Sequence, residues 1–367
     1  MYASLLVEEL KRVWPDADFF GSTGPRMRSA GVRTVVDSAS LAVVGIAEVV
    51  AHLPRIYKEF KRLLAYAASA RPDFAILTDS PDFHLRVAKH LKLAGIPVIY
   101  LVAPQVWAWR KRRLPLMKRV IDRLLCIFPF EEGFFTGHGI PAVYIGHPLA
   151  GLVKPTMNRE DFFRKHRLAA GRPLISVLPG SRKGEAARHL PVLSEAVDRI
   201  GRNRGVQFLL PASVTTGAQF FREKLGDSPI QVIQGENWDT LAHSDLALAA
   251  SGTVTIEAAL LGTPMVTYYR VSAATWLIGR PLVQVPFYSM VNLVAGRRVV
   301  PELIQKDLTA EALACQAARL LDDPGAQAQM KKDLGEVAAK LASARKPMEM
   351  AAGVIEDMVK EQVSNAS

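Results

Sequence analysis

Leu174-Ile175-Ser176-Val177-Leu178-Pro179-Gly180-Ser181-Arg182-Lys183-Gly184-Glu185 carries the strongest local signal in the chain. The apolar run predicts a strand, Pro-Gly-Ser a tight loop, and the residues from Lys183 onward a helix. A strand that enters a helix through small residues aims free backbone N–H groups and the positive end of a helix dipole at one point. That point suits a phosphate, and Arg182 adds a guanidinium able to grip two phosphate oxygens at once. The plain alternative is a glycine turn beside a surface arginine. The glycine pattern matches neither a Walker loop nor the dinucleotide fingerprint, which disfavours an ATPase and a dehydrogenase.

The same alternation of apolar runs and helical patterns continues in both directions. Strands are expected at 75–78, 98–102, 124–128, 143–145, 174–178, 206–210, 231–233, 246–249 and 265–268. Alternation of this kind predicts an α/β fold, with parallel sheets covered by helices on both faces. The 367 residues leave room for two domains, at about 150 residues each. Between 148 and 172 the sequence turns polar and loses strand character, which places the junction there. The expected division is 1–150 and 151–339, with helices at 340–367 free to pack back on the first domain.

Residues 2–14 read as a helix with Leu5, Leu6, Leu10 and Val13 on one face. An α/β domain usually opens with a strand whose carboxyl end carries the ligand loop. The expectation is therefore that either the start codon is placed late or this product lacks the first strand.

Hydrophobic residues make up 49% and charged residues 22%, which excludes a disordered chain or a fibrous repeat. No apolar run is long enough to span a bilayer; the stretch 246–269 is broken by Glu257. Cys126 and Cys315 have neither metal-ligand spacing nor the look of a disulfide framework, and Met1 leads straight into an amphipathic segment, so a cytoplasmic protein is expected. The net charge of +11 predicts an anionic partner: a nucleic acid, a phosphorylated substrate or an acidic membrane surface.

A second loop of the first kind is Ala249-Ala250-Ser251-Gly252-Thr253-Val254-Thr255-Ile256-Glu257. Ser251, Gly252 and Thr253 would cap a helix around an anion, and Glu257, one turn on, would accept from two sugar hydroxyls. An ordinary N-cap with an exposed Glu is the simpler reading. Two such loops in one domain suggest a nucleoside diphosphate held across strand ends.

In the first half, Thr78-Asp79-Ser80-Pro81-Asp82-Phe83-His84 follows a strand directly, so Asp79 faces the crevice where open α/β sheets bind ligands. It is the candidate general base, with His84 placed to hold or tune it. A helix N-cap is the alternative role, and Asp82 competes for both. Asp16 and Asp18 have the spacing of a metal-binding pair but lie in a turn after Pro15.

Farther on, Trp107 and Trp109 precede a basic cluster of Arg110, Lys111, Arg112, Arg113, Lys118 and Arg119, as at a surface facing anionic lipid headgroups. Residues 41–66 add an apolar stretch interleaved with Arg55, Lys58, Lys61 and Arg62, as in an amphipathic helix lying on a membrane. A core-packing helix with a solvated basic face fits that second stretch equally.

Across nearly the whole chain these residues resemble the lipid-A-disaccharide synthases, inverting glycosyltransferases of the GT-B fold with two Rossmann-like domains facing across a cleft. The resemblance rests on Gly24-Pro25-Arg26-Met27, Val44-Gly45-Ile46-Ala47-Glu48-Val49, Asp79-Ser80-Pro81-Asp82-Phe83, Pro104-Gln105-Val106-Trp107-Ala108-Trp109-Arg110 and Phe128-Pro129-Phe130-Glu131. It continues in Gly146-His147-Pro148, Leu178-Pro179-Gly180-Ser181-Arg182, Ser251-Gly252-Thr253 with Glu257, Tyr269-Arg270, and Asn292-Leu293-Val294-Ala295-Gly296.

It implies transfer of 2,3-diacylglucosamine from its UDP derivative to 2,3-diacylglucosamine 1-phosphate, giving a β-1′,6 disaccharide and UDP, on the inner face of the inner membrane. By the resemblance Asp79, Arg182 and Asn292 are catalytic, and Gly180, Ser181, Ser251, Gly252, Thr253, Glu257, Tyr269 and Arg270 bind the UDP-sugar. Trp107, Trp109, Arg110, Arg112 and Arg113 face the acceptor and the membrane. No metal or other cofactor is expected, because arginine and helix-dipole groups can neutralise a departing diphosphate. Members carry a Gly-Glu-Ala-Ser-Gly-Asp type loop after the first strand, and this sequence opens at the helical segment beyond that loop. The competing readings are another GT-B UDP-sugar transferase, a UDP-sugar epimerase, an inactive truncated synthase and, least favoured, a nucleic-acid-binding protein.

Overall fold

The computed structural model describes the chain apart from residues 41–45, 203 and 367. Val44 and Gly45 of the second quoted motif, and the start of the 41–66 stretch, lie outside the described residues.

Segments with no polar face become strands covered on both sides, as in parallel sheets. Val98–Leu101, Leu174–Leu178 and Leu246–Ala250 are buried at every position. In chain order the strands are β1 (Phe20–Thr23), β2 (Arg33–Asp37), β3 (Ala75–Thr78), β4 (Val98–Leu101), β5 (Arg123–Cys126) and β6 (Ala142–Tyr144). They continue with β7 (Leu174–Leu178), β8 (Gln207–Ala212), β9 (Ile230–Gln234), β10 (Leu246–Ala250), β11 (Met265–Tyr269) and β12 (Glu302–Ile304). Every strand pair is parallel.

The chain divides into two units, Met1–Pro148 with Ser343–Ser367, and Leu149–Ala342. In the first unit β3, β4, β5 and β6 form one sheet in that order, and β1 and β2 form a separate two-stranded sheet. The opening helix Tyr2–Val13 buries Leu6, Val7 and Leu10. It packs on the closing helix Pro347–Ala366, whose Ala351, Ala352, Ile355 and Met358 are buried.

In the second unit the sheet order is β12-β11-β10-β7-β8-β9. The chain builds outward from β7 in one direction and from β10 in the other. With right-handed crossovers, the helices after these two neighbouring strands leave toward opposite faces, and their loops part. A crevice opens at the carboxyl ends of β7 and β10, where open α/β sheets take ligands.

Candidate active site

Each unit presents one site. In the first, β3 hands over to the helix Pro81–Leu93 through Asp79 and Ser80, both left-handed at φ 53° and 37°. Val102, just after β4, is also left-handed at φ 66°, which is rarer still for a β-branched residue. Such states cost on the order of 1–3 kcal/mol each and persist only where surrounding contacts hold them. All three line one cavity of about 300 Å³, together with Tyr100, Arg110 and Arg113.

Two side chains hold the strained turn. The Tyr100 hydroxyl donates to the Asp79 carbonyl at 2.7 Å, and His84 Nδ1 lies 2.9 Å from the same oxygen. Burial lowers the His84 pKa, and burial with the Asp79 charge raises that of Tyr100. The ring therefore stays neutral, with Nδ1–H donating, and the phenol stays a donor. His84 thus holds the backbone of Asp79 rather than its carboxylate. The Asp79 side chain is exposed and makes no hydrogen bond among the described residues. Asp82, its rival, is already committed: it accepts from Arg110 at 2.9 Å and from Arg113.

The two tryptophans part company. In the helical turn Val106–Trp109, positions two apart point to opposite sides. Trp109 is exposed beneath the Arg110 guanidinium, 3.8 Å from the ring centroid. Trp107 turns inward, against the expectation of a membrane- or acceptor-facing role, and donates its Nε1–H to Glu131 at 3.0 Å. Ile127 and Phe128 N–H groups reach the other oxygen of that buried carboxylate. Burial outweighs these donors and pushes the Glu131 pKa up to about 7. Arg112 is exposed. On the helix Ile46–Ala70, Leu53, Arg55, Tyr57, Lys58, Lys61 and Arg62 are exposed together, while Phe60 packs on Phe83 and His90.

In the second unit, β7 enters the helix Lys183–Gly201 through Pro179-Gly180-Ser181-Arg182. Gly180 is required there: its φ is +114°, and a Cβ on it would meet Glu185 Oε2 at 2.5 Å. Arg182 is exposed, and Thr216 Oγ1 donates to the Ser181 carbonyl at 2.7 Å. The loop is tied down by His189, fully buried one turn and a half into the helix. His189 Nδ1 sits 2.8 Å from the Pro179 carbonyl, and Nε2 accepts the Arg270 backbone N–H at 3.0 Å. Burial lowers its pKa, so the neutral Nδ1–H tautomer satisfies both partners. Tyr269 bonds to Glu185, and burial together with that carboxylate raises its pKa.

At the second loop, Ser251 donates to the Tyr288 carbonyl at 2.9 Å, Gly252 is extended, and Thr253 is exposed at the start of Thr253–Leu260. Glu257 is hydrogen-bonded to Asn237 and Trp238, and burial raises its pKa.

Two expected contact residues are used differently. The Arg270 guanidinium donates to the Gln305 carbonyl at 3.1 Å and to that of Leu308, so it ties backbone to backbone. Asn292 is fully buried, and its amide is saturated: it donates to the Val300 carbonyl and Glu302 and accepts from Val299 and Val300 N–H. As placed, the Asn292 amide has no open valence for a ligand, whereas the bonds of Arg270 engage Nε and Nη2 only. Glu302 in turn receives the Tyr288 and Ser289 N–H groups, which links Asn292 to the carbonyl that Ser251 grasps.

Two parallel α/β units, one with two loops at the switch point of its sheet and one with a strained carboxylate turn, have the GT-B fold of solved glycosyltransferases and UDP-sugar epimerases. The glycosyltransferase of kitacinnamycin matches at TM-score 0.62 and 15% identity, over 97% of this chain and 95% of that one. The UDP-GlcNAc 2-epimerase from Neisseria meningitidis matches at TM-score 0.57 and 11% identity, over 98% and 95%. At such identities the likeness is one of fold.

Sequence narrows the class. The profile of the lipid-A-disaccharide synthetase family matches residues 1–354. The lipid-A-disaccharide synthase of Solibacter usitatus is 63% identical over all of this chain and 96% of its own length, and that of Koribacter versatilis 43% over 94% and 91%. The chain belongs to the lipid-A-disaccharide synthetase family, whose activity is glycosyl transfer in lipid A synthesis.

Proposed function

We propose that the chain transfers 2,3-diacylglucosamine, with inversion, from its UDP derivative to the 6-hydroxyl of 2,3-diacylglucosamine 1-phosphate. The match over residues 1–354 carries this reading, and the strained Asp79 turn and the crevice loops supply groups suited to the chemistry.

The first unit takes the acceptor. Asp79 removes the proton of the 6-hydroxyl as its oxygen attacks the anomeric carbon, a step to which a positioned base contributes ~10²- to 10⁴-fold. The bond from that carbon to the diphosphate breaks, and UDP leaves with the electron pair. In the second unit, Arg182 and the amides around Gly180 and Ser181 meet the charge that gathers on the diphosphate. Ser251, Gly252 and Thr253 hold its other end, and Glu257 takes ribose hydroxyls. Tyr269 braces the loop through Glu185. Asn292 acts at one remove, by fixing the backbone that presents Ser251, and Arg270 keeps its Nη1 group for the UDP-sugar.

Among the described residues no helix is long and apolar enough to cross a membrane. Each buried CH₂ is worth ~0.8 kcal/mol, so doubly acylated sugars stay in the bilayer and the enzyme must come to them. The exposed face of Ile46–Ala70, with Trp109 and Arg112, supplies apolar and cationic groups for docking on anionic lipid at the cytoplasmic side of the inner membrane.

Steady-state kinetics with both acylated substrates tests the roles. Arg182→Ala loses a charge-assisted contact of ~1.5–3 kcal/mol, or roughly 10- to 150-fold in turnover. Asp79→Asn loses the base. Full turnover of Arg182→Ala at saturating donor, or unchanged activity of Asp79→Asn, overturns the respective assignment.

A further inference from the structure

The cavity beside Asp79 holds an unusual arrangement of charge. Arg110 and Arg113 converge on a single carboxylate, that of Asp82. Their side chains are only 27% and 15% exposed, whereas Asp82 is 73% exposed. Two partly desolvated guanidiniums thus share one counter-ion that itself stands in solvent. Arg110 is braced on the Trp109 ring, and Arg113 also lies in the field of the neighbouring Arg110 and Arg112. Crowding of like charge with partial burial favours an incoming anion, and paired guanidiniums match the several oxygens of a phosphate monoester. Both arginines line the same cavity as Asp79, and the Tyr100 hydroxyl that holds the Asp79 turn senses the charges of Asp79, Arg113 and Asp82. Asp79 and the two guanidiniums thus share one cavity of about 300 Å³.

We infer that Arg110 and Arg113 form the receptor for the phosphate monoester of the acceptor sugar, with Asp82 as the placeholder that keeps both guanidiniums in position until the phosphate arrives. The inference rests on the acceptor proposed above. It makes the pair specificity-determining: the enzyme selects a sugar phosphate over the same sugar with a free anomeric hydroxyl, and anchoring that phosphate orients the far hydroxyl toward Asp79.

The test crosses two changes, Arg113→Ala in the enzyme and removal of the 1-phosphate from the diacylated acceptor. The expected result is a loss of 10-fold or more in kcat/KM for the phosphorylated acceptor, carried by its KM, with the donor KM unchanged. On the unphosphorylated acceptor, variant and wild type agree within about 2-fold, and Arg113→Lys recovers part of the loss on the phosphorylated one. Glucosamine 1-phosphate serves as a soluble probe: it competes with the acceptor in the wild type, and its inhibition constant rises at least 10-fold in Arg113→Ala. Equal losses on both acceptors, or an unchanged inhibition constant, would overturn the inference while leaving the proposed reaction standing. Absence of disaccharide formation by the wild type would refute the reaction itself.

Discussion

Replacing Tyr100 by Phe removes one oxygen from the wall of the first unit's cavity and nothing from its shape. That oxygen donates to the Asp79 carbonyl at 2.7 Å, and His84 Nδ1 is the only other donor to it among the described residues. Asp79 and Ser80 sit at φ 53° and 37°, so the backbone gains energy by leaving this conformation once its clamp is loosened. One hydrogen bond contributes ~0.5–1.5 kcal/mol net, and converted through the rate equation this is a loss of roughly 2- to 12-fold in kcat for Tyr100→Phe.

His84→Ala loses a similar amount. The double variant orphans the carbonyl, and its loss exceeds the product of the two single losses, because the second removal exposes the full strain of the turn. The assay is initial-rate kinetics at saturating donor with acceptor varied, alongside thermal melting to register the stability change. Donor KM is expected to stay constant. If Tyr100→Phe kept wild-type kcat while its melting temperature fell, the hydroxyl would serve folding only, and the picture of a turn held to aim Asp79 would be wrong.

Other outcomes follow from the same geometry. Gly180→Ala places a methyl 2.5 Å from Glu185 Oε2 at φ +114°; with strain of about 1–3 kcal/mol, UDP affinity by calorimetry drops while the circular dichroism spectrum is kept. The arginine and amide donors at Gly180, Ser181 and Arg182 predict full turnover in EDTA; loss of turnover with the chelator, restored by magnesium, would contradict that. Glu131, raised from 4.5 to about 7 by burial, keeps its proton in the folded state over that interval. Its contribution to stability is therefore full below the ordinary carboxylate range and declines as pH rises toward 7, by about 3 kcal/mol at most, and then levels off. Denaturant titrations at pH 5 and pH 8 measure this decline, and Glu131→Gln removes it; an identical slope in the variant would refute the assignment.

What could be read from the chain depended on how far apart the cooperating residues lie. The loop at Gly180, the strands β7 and β10 and the turn at Asp79 were legible because apolar run, small residues and helix follow one another within a dozen positions. The strands Arg33–Asp37 and Glu302–Ile304 were missed, being short, partly polar and without a period to detect. Left-handed Asp79, Ser80 and Val102 carry no glycine to announce them; tertiary contacts impose that conformation. Tyr100 and His189 escaped for a related reason, since each acts on a backbone group far along the chain, at Asp79 and Arg270. Trp107 and Trp109 looked alike in sequence, yet a helical turn sends one to the core and one to solvent. Asn292 showed the converse, a polar residue of contact-forming type whose valences the fold itself consumes.

The central claim is the reaction, and its most direct measurement is product analysis with purified protein, UDP-2,3-diacylglucosamine and 2,3-diacylglucosamine 1-phosphate in anionic vesicles. The account predicts one UDP released per disaccharide 1-phosphate formed, with a β-1′,6 linkage in the proton NMR spectrum. UDP release without disaccharide, an α linkage, or an epimerised sugar nucleotide as product would contradict it.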